Sequence, residues 1–144
     1  MIPMHVIVQA APQDDLIHQT VALQGVVRQI IDLPSTKVVP PLPRSFEEVL
    51  SCLESFARMF IEPDGSFVWV GGESETNWQL DGQLNDGSTG LNSVEIKGTV
   101  STQAWNQLLQ AVGWPDAQLL MQLPREGIFR FSIESSGSAV AEAN

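Results

Sequence analysis

The sequence predicts an α+β fold, an antiparallel sheet of about four to six strands with two or three amphipathic helices packed on one face. Three observations predict it. Segments 67–70, 78–84, 94–100 and 129–133 alternate large apolar with polar residues, which marks strands with one buried and one wet face. Segments 45–60 and 102–112 instead repeat apolar residues every three or four positions, the spacing of an amphipathic helix. The loops joining the first three alternating segments are short, which favours antiparallel neighbours in a meander.

The elements follow in chain order. Residues 1–12 hold Val6-Ile7-Val8 and end at Ala11-Pro12, an edge strand or a loose terminus. Residues 13–33 are ambiguous. Apolar positions 16, 17, 21, 23, 26, 27, 30 and 31 fit a helical stripe, and Asp14 and Asp15 suit a helix N-terminus. Val21, Leu23, Val27 and Ile31 also alternate, and the β-branched Val26, Val27, Ile30 and Ile31 favour a strand. Helix is narrowly preferred. Residues 34–44 form a Pro-rich linker within the domain. Pro40 and Pro43 have the spacing of an SH3-type ligand, but Arg44 follows the second proline directly, so a rigid spacer is the better reading.

Ser45 and Glu48 form a capping box that opens the helix 45–60, whose apolar stripe is Phe46, Val49, Leu50, Leu53, Phe56, Ala57 and Phe60. Pro63-Asp64-Gly65 turns the chain into the first alternating strand. The second strand sets Trp78, Leu80, Gly82 and Leu84 inward, and the third sets Val94, Ile96, Gly98 and Val100 inward. The helix 102–112 buries Trp105, Leu108, Leu109 and Val112, with Gly113 as its C-terminal cap. Residues 117–123 suit a short strand. The last strand sets Phe129, Phe131 and Ile133 inward, and 135–144 is expected to be a disordered tail.

At 144 residues, 43% of them apolar, the chain is expected to be a single globular domain able to hold a core without disulfides or metal. The net charge is −10, and the 7 basic residues are scattered. Nucleic acids and anionic membrane surfaces both need a basic patch, so neither is an expected partner. Cys52 is the sole cysteine and excludes an intrachain disulfide. The first residues lack a signal-peptide pattern, and no apolar run approaches the ~20 residues of a membrane span. A cytoplasmic location is the expectation.

Chemistry-bearing motifs are sparse. His5 and His18 are the only histidines, and no Gly-x-Ser-x-Gly elbow accompanies them. Cys52 borders the helical stripe and suits a small core residue. The run 81–92 places oxygens at alternate positions as Ca²⁺ requires. Its sixth residue is Asp86 rather than Gly and its twelfth is Asn92 rather than Glu, so a β-turn fits better. No Cys or His pair has zinc spacing, and no phosphate-binding Gly-rich motif is present. Asp81 and Glu95 are able to face each other across neighbouring strands with Lys97 beside them, but on an open face both stay solvated. No tyrosine is present, and of the tryptophans, 69, 78 and 105 fall on inward positions while Trp114, past a helix end, is expected to be partly exposed.

No catalytic residue, cofactor or metal ligand is therefore expected. The expected function is an acidic protein-interaction domain, adaptor-like or inhibitor-like, that binds a protein partner or a second copy of itself. Its candidate surface is Gln79, Asp81, Gln83, Glu95, Lys97, Thr99, Arg130 and Trp114. The alternative is a ligand-binding domain or carboxylate-dependent enzyme with a pocket between sheet and helices.

Overall fold

The computed structural model describes residues 2–11, 17–23, 26–32, 40–73, 77–117, 119–123, 127–133 and 139–141. Ten strands and two helices occur among them: β1 (Ile2–Ala10), β2 (Ile17–Leu23), β3 (Val26–Asp32), α1 (Phe46–Glu54), β4 (Met59–Ile61), β5 (Ser66–Gly71), β6 (Trp78–Asp86), β7 (Leu91–Val100), α2 (Thr102–Ala111), β8 (Leu119–Leu123), β9 (Gly127–Ile133) and β10 (Ala139–Ala141). The fold is α+β with antiparallel pairing throughout. Strands β8-β1-β7-β6-β5-β4 form a six-stranded body, which β9 and β10 extend on the β8 side, and β2 and β3 pair as a separate hairpin.

Three expectations are corrected. Residues 1–12 form no edge strand or loose end: β1 runs through the middle of the sheet between β8 and β7, with Val6 opposite Ile96 and Val8 opposite both Val94 and Met121. Residues 17–23 and 26–32 are two paired antiparallel strands rather than a helix, Ile17 pairing Asp32 and Leu23 pairing Val26. The β-branched residues of this stretch, penalised at χ1 in a helix, are at home in extended backbone. The helix expected over 45–60 stops at Glu54. Ser55 caps it, donating from its hydroxyl to the Cys52 carbonyl at 2.6 Å. Arg58 then adopts φ +62°, which no right-handed helix accommodates, and the chain continues as β4. Phe56 still packs against the core, so the apolar stripe outlasts the helix that seemed to need it.

The sheet's register builds the core. Phe67, Gly82, Ile96 and Val6 stand in one row across β5, β6, β7 and β1. Leu84, Val94, Val8 and Met121 form the next. Apart from Gly82 all of these are buried. Gly82 is required because a Cβ there would overlap the Phe67 ring that lies across it. The buried residues of both helices, including Val49, Leu53, Trp105, Leu108 and Leu109, belong to this same cluster. Each fully buried leucine contributes roughly 1.5–3 kcal/mol relative to exposure.

The helix starts are as the sequence implies. The Ser45 hydroxyl accepts from the Glu48 N–H at 3.1 Å, and the Glu48 carboxylate accepts from the Ser45 N–H at 3.2 Å. Ser101 caps α2, its hydroxyl accepting from the Ala104 N–H at 3.2 Å. Of the Pro-rich stretch, the described part 40–44 is tied into the domain. Leu42 is buried and donates its N–H to the Leu91 carbonyl at 2.8 Å. Of the tail, Ala139–Ala141 pairs with β9, and the rest of 135–144 lies outside the described residues except at those positions.

Candidate functional site

The two faces of the sheet differ sharply in what they offer. On the outer face, register places Phe60, Val68, Asp81, Lys97 and His5 in a single row across β4, β5, β6, β7 and β1. Phe60 is 64% exposed, and Asp81, Lys97 and His5 are also exposed. Beside this row stand Ser66, Gln83, Glu95 and Ile7. His5, Asp81, Gln83, Glu95 and Lys97 border a shallow depression of about 210 Å³.

Gln79 donates to the Asp81 carboxylate at 3.2 Å, and Gln83 donates to the Asp64 carbonyl at 2.9 Å. His5 Nε2 lies 3.7 Å from Glu95 Oε2, with both side chains nearly half exposed. Contacts this exposed contribute little to stability, because water solvates the separated groups almost as well.

The structure brings together Gln79, Asp81, Gln83, Glu95, Lys97 and Thr99 on β6 and β7, and it separates the other two named residues from them. Arg130 is on β9, with β8 and β1 intervening before β7; its side chain lies outside the described residues. Leu120 of β8, which stands opposite Gln9 of β1 on the outer face, is fully buried, so that end of the outer face is covered. Trp114 is a correction. It is 9% exposed and joins the core, because Gly113 at φ +118° reverses the chain and the Trp114 N–H then donates to the Leu109 carbonyl at 3.0 Å.

The two carboxylates do not face each other. Asp81 stands opposite Lys97, and Glu95 stands opposite Gln83. A register shift at Asn85/Asp86 closes the hairpin, with the Gly87 N–H donating to the Gly90 carbonyl at 2.8 Å. That turn accounts for the Gly- and Asn-rich run 81–92. No group of three or more potential metal ligands occurs among the described residues. Cys52 is half-buried against the core. No helix among the described residues is long and apolar enough to cross a membrane.

A second feature lies on the inner side, at the open end of β5 and β6. A groove of about 540 Å³ runs between the turn after α1, the ends of β5 and β6, and the first half of α2. Its floor is aromatic. Trp69 and Trp78 meet edge to face at 5.0 Å, and Trp69 is fixed by donation from Nε1 to the Ala57 carbonyl at 3.1 Å. The Trp78 ring lies across Gly71, where a Cβ would collide with it. Among the described residues Arg58 is the only ionisable one in the lining, with Nη1 3.4 Å from the Gly72 carbonyl, and Gln103 and Gln107 come from α2. The groove lies between the sheet and α2, and among the described residues its lining holds an arginine rather than the carboxylates that the alternative reading requires. The signal that could have revealed it is Arg58-Met59 breaking the helical stripe ahead of a strand.

No family model, curated protein or solved structure matches the chain.

Proposed function

We propose that this chain is a protein-interaction domain without catalytic activity, which presents the outer face of β4, β5, β6, β7 and β1 to a protein partner. The observation that carries this reading is the row Phe60–Val68–Asp81–Lys97–His5, in which one strongly exposed aromatic borders a polar, mixed-charge surface. Aromatic anchors surrounded by polar groups are the usual composition of a binding hot spot. In this reading both helices lie on the inner side and leave the outer face to the partner. The acidity of the chain then serves solubility and rejection of acidic partners, and the location is cytoplasmic, where a lone cysteine stays reduced.

Site-specific photo-crosslinking in source cells tests the proposal. A photoreactive residue at position 60 is expected to give a discrete adduct, which Lys97→Glu weakens. The same residue at Glu47, on the exposed side of α1, is expected to give none. Equal adducts at both positions, or none at position 60, would remove the proposal. An adduct of twice the 15.7 kDa chain mass identifies the partner as a second copy.

A further inference from the structure

We infer that the groove at the open end of β5 and β6 is a binding site for a small organic carboxylate carrying a flat apolar ring. The inference is independent of the outer-face reading and uses none of its residues. The groove measures about 540 Å³. A ligand there meets two unlike chemistries at once. Trp78, half-buried, offers an indole surface held by the edge contact with Trp69. Arg58 offers a guanidinium, whose planar fork matches a carboxylate in a bidentate pair.

Charge selects the class of ligand. The chain as a whole carries −10, yet among the described residues no carboxylate lines the groove and the one charge in the lining is positive. Acidic groups farther away than about 8–10 Å are largely screened at physiological ionic strength, and the Arg58 guanidinium is the charge a ligand meets in the described lining. A single arginine fits one carboxylate better than a multiply charged phosphate. Gln103 and Gln107 supply neutral donors and acceptors on the α2 side for further polar groups.

The backbone at Arg58 supports the same assignment. Its φ of +62° lies in the left-handed region, where glycine and asparagine are favoured and a long side chain is a costly choice. This conformation directs the chain out of the α1 turn and into β4, with the Arg58 carbonyl accepting from the Val70 N–H at 3.3 Å. Glycine would serve that turn with less strain. The turn itself calls for no arginine side chain, and the side chain present there lines the groove.

Naphthalene-2-carboxylate, its neutral amide and acetate are suitable probes, followed by NMR of the tryptophan indole N–H signals and by isothermal titration. A ligand of this size is expected to bind with Kd of about 1 mM or tighter. The amide and acetate are each expected to bind at least about tenfold more weakly, the first for lack of charge and the second for lack of a ring. Arg58→Gly is expected to lose about tenfold or more in affinity with no loss of melting temperature, and Arg58→Lys to recover part of the lost affinity. Equal affinity for acid and amide, unchanged binding in Arg58→Gly, or no response at about 10 mM acid would overturn the inference.

Discussion

Replacing Arg58 by glycine separates what the turn needs from what the side chain does, and it is expected to stabilise the protein. An L-residue in the left-handed region costs about 1–2 kcal/mol, which glycine does not incur. Against that gain, glycine enlarges the conformational freedom of the unfolded chain by about 0.4–1 kcal/mol. The lost bond from Nη1 to the Gly72 carbonyl is long, at 3.4 Å, and exposed, so it contributes little. The balance is a gain between about 0 and 1.5 kcal/mol, or about 2 °C in melting temperature for a domain of this size. Urea unfolding with an unchanged m-value measures it. Arg58→Ala is the control: it removes the same side chain but keeps the strain, so it should be less stable than Arg58→Gly by about 1 kcal/mol. If Arg58→Gly loses more than about 0.5 kcal/mol, or if glycine and alanine are equivalent, the argument from the left-handed backbone is wrong.

Three further outcomes test the fold and its electrostatics. Gly82→Ala places a Cβ in the Phe67 ring and should cost about 1–3 kcal/mol by denaturant titration, whereas Gly82→Ala combined with Phe67→Leu should recover part of that loss. Ser45→Ala removes the hydroxyl half of the capping box and should cost about 1 kcal/mol, with a loss of helical circular dichroism confined to partial unfolding conditions. The Asp64 carboxylate accepts from both the hydroxyl and the N–H of Ser66, which holds it below the ordinary aspartate value of about 3.9. A carboxyl depressed in the folded state stabilises above its unfolded pKa, and that contribution disappears as pH falls through the folded pKa. Stability profiles of wild type and Asp64→Asn should therefore differ above about pH 4 and converge below it.

Much of the architecture was legible in the sequence wherever local pattern and local structure coincide. The alternation through Trp78–Leu84 and Val94–Val100 places the same residues inward that the register does, down to the inward glycines. The capping box at Ser45 and Glu48 is a four-residue signal, complete without any distant contact. The outer surface was partly legible, since Gln79, Asp81, Gln83, Glu95, Lys97 and Thr99 do share one face. Phe60 escaped notice because it completes an apolar stripe at helical spacing, and only the early helix end at Glu54 turns it outward. Trp114 departs from its expected exposure for the opposite reason. A residue beyond a helix end is exposed unless the chain folds back, and Gly113 folds it back.

By itself the sequence determined the α+β class, the β5–β6–β7 meander, the two helix starts and the inward sets of those three strands, while the side chains of the last strand's expected set, Phe129, Phe131 and Ile133, lie outside the described residues. These follow from side-chain period and from groups only a few residues apart. The tertiary structure alone decided that β1 sits at the centre of the sheet, that Asp81 faces Lys97 rather than Glu95, and that a groove holding Arg58 opens beside Trp78. Each of these depends on segments tens of residues apart or on a one-residue choice of register. No local propensity encodes such distances. They are settled by which pairing buries the most apolar surface while satisfying the backbone, and that balance exists only once the whole chain has folded.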